Sequence, residues 1–155
     1  MAGRKGFTLM EMIIVMVIMG VFAALTIPRL SFSAVNRKQA ETVVRRFVTD
    51  LRRTRSLAIR DAATHSNGFR LKLAGNPSSS YDIIDRDSGE TLETHSFDSA
   101  ICIAYSGGDQ NLDFGPLGNL ATSSANTMTI SGYGKSYTVT IVYSTGSVRF
   151  SESGS

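Results

Sequence analysis

From Phe7 to Ile27 the chain runs for 21 residues with one charged side chain, Glu11. At a rise of ~1.5 Å per residue, a helix over that run is roughly 32 Å long, against a bilayer hydrocarbon core of about 30 Å. The run therefore predicts a membrane-crossing helix. Met10, Met12, Ile13, Ile14, Val15, Met16, Val17, Ile18 and Met19 make it apolar on every side, as lipid requires. Gly20, Ala23 and Ala24 give small patches where helices can approach closely. Pro28 has no N–H and is expected to kink or open the helix at its outer end. Arg4 and Lys5 before the run orient the N-terminus to the cytoplasm, with Arg29 outside.

Glu11 does not belong in a plain span, because a carboxylate inside lipid is costly. Three readings meet this fact differently. A secretory signal peptide needs an apolar core of roughly 7–15 residues and a small-x-small cleavage site. Here the run is longer, holds an acid, and ends in Pro28-Arg29-Leu30. A simple signal anchor explains the orientation and leaves the acid without a reason.

The third reading accounts for it. Gly6-Phe7-Thr8-Leu9-Met10-Glu11-Met12 resembles the type III signal sequence of type IV prepilins and type II secretion pseudopilins. The resemblance implies cleavage between Gly6 and Phe7 by a membrane prepilin peptidase, then N-methylation of Phe7 by the same enzyme. It implies that Glu11 directs assembly. Cleavage creates an amine on Phe7, and the Glu11 carboxylate of one subunit can meet the Phe7 amine of a neighbour. Two charges in an apolar bundle are tolerated only when paired, so the pair would set the register of stacked helices.

Charge divides the rest of the chain. Residues 29–60 hold nine basic residues against two acidic ones, and residues 64–155 five against nine. Ala40, Val44, Phe47, Leu51 and Ala58 recur at helical spacing, broadened by Val43 and Val48. Arg45, Arg46, Arg52 and Arg53 fall off that stripe. One long helix is expected from about Phe7 to Ala63, hydrophobic first and amphipathic after, ended by the Asn67-Gly68 turn signal.

After Gly68 the period changes to two. Strands are expected at Phe69–Leu73, Tyr81–Asp85, Thr91–Phe97, Ala100–Tyr105, Thr127–Ser131, Tyr137–Tyr143 and Val148–Phe150, with Ser151–Ser155 loose. The fold class is α+β: a long N-terminal helix packed on a C-terminal antiparallel sheet, as in pilins. The expected division is a leader (1–6), a transmembrane and assembly helix (7–28), a basic amphipathic helix (29–63) and a periplasmic β domain (64–155). Asp113-Phe114-Gly115-Pro116-Leu117-Gly118 and the stretch Tyr137 to Arg149 resemble the aromatic-glycine loop and closing hairpin of the GspH/FimT family of minor pseudopilins and pilins.

Enzymatic chemistry finds no anchor in the sequence. His65 and His95 are thirty residues apart with no metal-binding spacing, and both read as surface residues. Asp82, Asp85, Asp87 and Glu90 lack the complete calcium-loop pattern and read as a solvated hairpin. The lone Cys102 reads as a buried structural thiol. No catalytic residue, metal or cofactor is expected. The chain reads as a substrate of processing enzymes.

The expected partners are other pilins or pseudopilins of one filament, the prepilin peptidase/methyltransferase and an inner-membrane assembly platform. The expected location is the inner membrane, crossed once, and then a periplasmic filament. A second reading is a minor type IV pilin that initiates pili or binds DNA through Arg45, Arg46, Arg52, Arg53 and Arg149. FimT-like members carry a Gly-Arg-x-Arg motif where this chain has Gly146-Ser147-Val148-Arg149, so one of the two arginines is missing.

Overall fold

A computed structural model describes residues 6–26 and 32–153. Helix α1 (Leu9–Thr26) is followed by helix α2 (Phe32–Arg60) and eight strands, which confirms the α+β class. Pro28, and with it the expected kink and helix continuity, lies outside the described residues. Residues from Asn36 onward form one compact unit, and the N-terminal residues another.

Within the larger unit, the sequence stripe on α2 is the buried stripe. Ala40, Val44, Phe47, Leu51 and Ala58 are each at most 1% exposed, while Arg45, Arg46, Arg52 and Arg53 are exposed. The helix ends at Arg60 and turns over residues 61–64, slightly before the expected Ala63.

The strands are β1 (Phe69–Leu73), β2 (Ser80–Asp85), β3 (Thr91–Ser96), β4 (Ile101–Tyr105), β5 (Asn111–Phe114), β6 (Thr127–Gly132), β7 (Lys135–Ile141) and β8 (Val148–Ser153). They form two antiparallel four-stranded sheets, not the single sheet expected: β3-β2-β1-β5 and β4-β6-β7-β8. A bridge from Ser78 to Ile103, with both N–H groups donating across it at 2.8 Å, stitches the two together. Phe47 and Leu51 of α2 join Leu71, Tyr81 and Phe114 of the first sheet and Ile103, Met128, Ile130 and Val139 of the second in one buried cluster.

Three expectations are corrected. No strand is expected between Tyr105 and Thr127, and Asp113-Phe114 is placed in the aromatic-glycine loop; the structure has β5 there. It is a strand because Leu112 and Phe114 pair with Leu71 and Phe69, and Arg70 clamps Asp113 at 2.6 and 2.9 Å. Ser151 to Ser153 are not loose, because β8 pairs with β7 as far as Ser153↔Ser136. Cys102 is only partly buried, with its sulfur 3.2 Å from the Ser131 hydroxyl.

Candidate functional site

The chain enters α1 through Gly6, Phe7 and Thr8, which have no regular secondary structure. Thr8 caps the helix: its hydroxyl accepts from the Glu11 N–H at 3.3 Å, and its carbonyl accepts from Glu11 and Met12 at 3.1 and 3.2 Å. Thr-x-x-Glu is a helix-start signal, so Glu11 stands in the first turn, where the unsatisfied N–H groups favour an anion. The signal for this cap, Thr8 three residues before Glu11, is present in the sequence.

Among the described residues nothing requires a glycine at position 6. It carries no positive φ, and a Cβ added there would meet nothing within 4 Å. Phe7 is 77% exposed, and every described side chain of α1 as far as Ala24 is exposed. Glu11 makes no ion pair among the described residues. So the described side chains of α1 as far as Ala24 present an exposed, largely apolar surface with one acid near its start. Among the described residues no helix is long and apolar enough to cross a membrane. The 18 residues of α1 rise roughly 27 Å, short of the ~30 Å core.

The basic face of α2 is largely occupied. Arg45 pairs with Glu41 at 2.7 Å and Arg53 with Glu93 at 2.6 Å. Arg46 approaches Asp50 at 3.9 Å and donates to His95 Nδ1 at 2.8 Å. Arg52 donates to the Val148 carbonyl at 3.3 Å, beside Arg149, which is exposed on β8. The five arginines of the nucleic-acid reading thus do not form one free patch: three face carboxylates and one bonds to backbone.

The structure joins the stretches 113–118 and 137–149. Arg55 Nε donates to the Gly118 carbonyl at 3.2 Å, and Gly146 packs against that same carbonyl. Leu120 donates to Tyr143 at 2.8 Å. Loop and hairpin are therefore one assembly seated on the end of α2.

The histidines and acids differ from expectation. His95 is half-buried, with 15% of its side chain exposed, where a free surface residue is expected. It lies 3.1 Å from Glu93 and 3.5 Å from Asp50. Asp50 is buried and accepts the Tyr81 hydroxyl at 2.7 Å. Burial first, and the Asp50 contact second, push the Tyr81 phenol well above its ordinary value. The only sequence signal for this network was an acid lying within the buried arc of α2. His65 does stay partly exposed, 3.2 Å from Asp85.

Asp85 is buried rather than solvated. Burial works to raise its pKa, but the Asp87 N–H, the Ser88 hydroxyl and His65 outweigh it and hold it below the usual range. Asp87 binds Asn67, and Asp82 accepts from Thr94, so these carboxylates are engaged separately. Among the described residues no cluster of His, Cys, Asp or Glu is arranged to hold a metal.

Residues 1–27 match the family model of the prokaryotic N-terminal methylation motif, the mark of a type IV pilin-like precursor. Comparison with curated proteins and with solved structures gives no match.

Proposed function

We propose that this chain is a minor pseudopilin or pilin. In this reading it is cut between Gly6 and Phe7, methylated on Phe7, and built through α1 into a periplasmic filament of a type II secretion system. The observation that carries the reading is the register of Gly6, Phe7 and Glu11 ahead of an exposed apolar helix. Among the described residues nothing requires Gly6 to be glycine, and the Glu11 carboxylate makes no ion pair. Both residues are explained by other molecules: a peptidase for the first, a neighbouring subunit's amine for the second. The run from Phe7 to Ile27 crosses the inner membrane once, with the β domain periplasmic.

Mass spectrometry of the mature N-terminus tests the first step. The expected chain begins at N-methyl-Phe7, and a start at Met1 or beyond Pro28 refutes the reading. Glu11→Ala tests the second. It is expected to insert and be cut normally yet to enter filaments at least ~10-fold less, since an unpaired charge in an apolar bundle costs several kcal/mol. Normal incorporation refutes the pairing. The second reading, a minor type IV pilin, shares both steps and differs in the machine, which neighbouring genes would identify. Its DNA-binding form draws only on the exposed Arg149 beside Arg52, and predicts salt-dependent duplex binding that Arg149→Ala abolishes.

A further inference from the structure

Strand β3 is an edge of its sheet, and its register shows which of its main-chain groups are free. Phe97 donates to Ser79 at 3.1 Å, and the pairs Tyr81↔His95 and Ile83↔Glu93 follow at every second residue. The N–H and C=O groups of His95 and Glu93 are therefore spent on β2. Those of Thr94 and Ser96 point away from the sheet. Leu92 is left without a partner where the register shifts, so a bulge limits the regular edge to Glu93–Ser96. No lysine or proline guards this edge.

Beside the edge lies a groove of about 240 Å³ between α2 and β3, lined by Val43, Arg46, Tyr81, His95 and Phe97 among others. Its floor is apolar and aromatic: the rings of Tyr81 and His95 are 5.3 Å apart, and those of Tyr81 and Phe97 6.3 Å apart. Arg46 is the one permanently charged side chain lining it, and 61% of that side chain is exposed. The nearby carboxylates are already engaged. Asp50 is buried under the Tyr81 hydroxyl and reaches Arg46 only at 3.9 Å, and Glu93 is held by Arg53. Arg46 also donates to His95 Nδ1 at 2.8 Å, which holds the guanidinium at the mouth of the groove.

We propose that this groove binds an extended peptide strand of a partner protein, added to the β3 edge through Thr94 and Ser96, with an acidic side chain of that strand on Arg46. Edge-strand addition draws affinity from main-chain hydrogen bonds and specificity from pockets for alternate side chains. Both elements are present here, and the helix wall supplies the charge that selects an acid over a base. Side chains at alternate positions of the bound strand fall toward Val43 and Phe97, and those between face solvent.

The test uses the full chain in detergent micelles and a fluorescent seven-residue peptide of alternating Thr and Val with a central Glu. Saturable binding by anisotropy is expected at a Kd below ~1 mM. A peptide with Lys in place of Glu is expected to bind at least ~10-fold more weakly, and Arg46→Ala to abolish that difference. N-methylation of alternate peptide bonds removes main-chain donors without touching the protein, and is expected to abolish binding. Ser96→Pro is expected to do the same while leaving the far-UV circular dichroism unchanged, since its N–H faces outward. No saturable binding, equal binding of the Glu and Lys peptides, or undiminished binding of the N-methylated peptide each overturns the proposal.

Discussion

Tyr81 and Asp50 meet inside the domain, and their contact makes a pH dependence. The neutral phenol is favoured in the fold, first by burial and then by the Asp50 carboxylate it donates to. A pKa raised in the folded state gives stability that is present below the unfolded value, about 10, and is lost as pH rises beyond it. Thermal melts of the wild type are therefore expected to fall above about pH 10, with up to ~1.4 kcal/mol lost per pH unit from this one proton. Tyr81→Phe is expected to start less stable, because Asp50 loses its donor, and to show a correspondingly flatter alkaline limb. Equal slopes for the two proteins would refute the role given to Tyr81. Gly146 is constrained by geometry instead. It has φ +63°, and a Cβ there would fall on the Gly118 carbonyl oxygen. Gly146→Ala is expected to cost at least ~1–2 kcal/mol in denaturant unfolding, well beyond its ordinary propensity effect.

The two helices solve opposite problems. α1 is apolar all round and its described side chains are exposed, so its stability depends on its own hydrogen bonds and on whatever surrounds it. The Thr8 cap is accordingly expected to matter: Thr8→Ala should cost about 1 kcal/mol and speed amide exchange at Glu11 in micelles. α2 is held by packing, and Leu51→Ala, at a site with no exposure, is expected to lose about 2–5 kcal/mol by chemical denaturation. The sequence showed the α2 stripe clearly because five buried residues repeat at helical spacing. It showed β6 and β7 for the same kind of reason, with period two. It did not show β5, whose burial comes from two side chains opposite β1 rather than from any local pattern.

Across the whole domain, charge is arranged in pairs that join separate elements: Arg53 with Glu93 and Arg70 with Asp113. The Arg53 guanidinium holds Glu93 below the usual carboxylate range, and Asp85 is likewise held low. A depressed folded pKa gives stability that is full above the unfolded value, about 4, and lost as pH falls through the folded one. Melting temperature is expected to be nearly flat from pH 7 to about 5 and to drop below about 4. Arg53→Ala should move the Glu93 titration, followed by carboxyl NMR shifts, upward toward its ordinary value. No movement would mean the pair is broken in solution.

The sequence by itself determined whatever is written locally. The N-terminal methylation motif, the apolar run and the acid within it lie within a few turns of chain, and helix and strand periods repeat over short windows. The tertiary structure alone decided that the strands divide into two sheets, that β5 exists, and that His95 and Asp50 are drawn inward. It alone brought the Gly118 and Gly146 loops together on Arg55. Each of these rests on contacts between residues tens of positions apart, and no local spacing encodes which distant side chain will supply the partner or exclude the water.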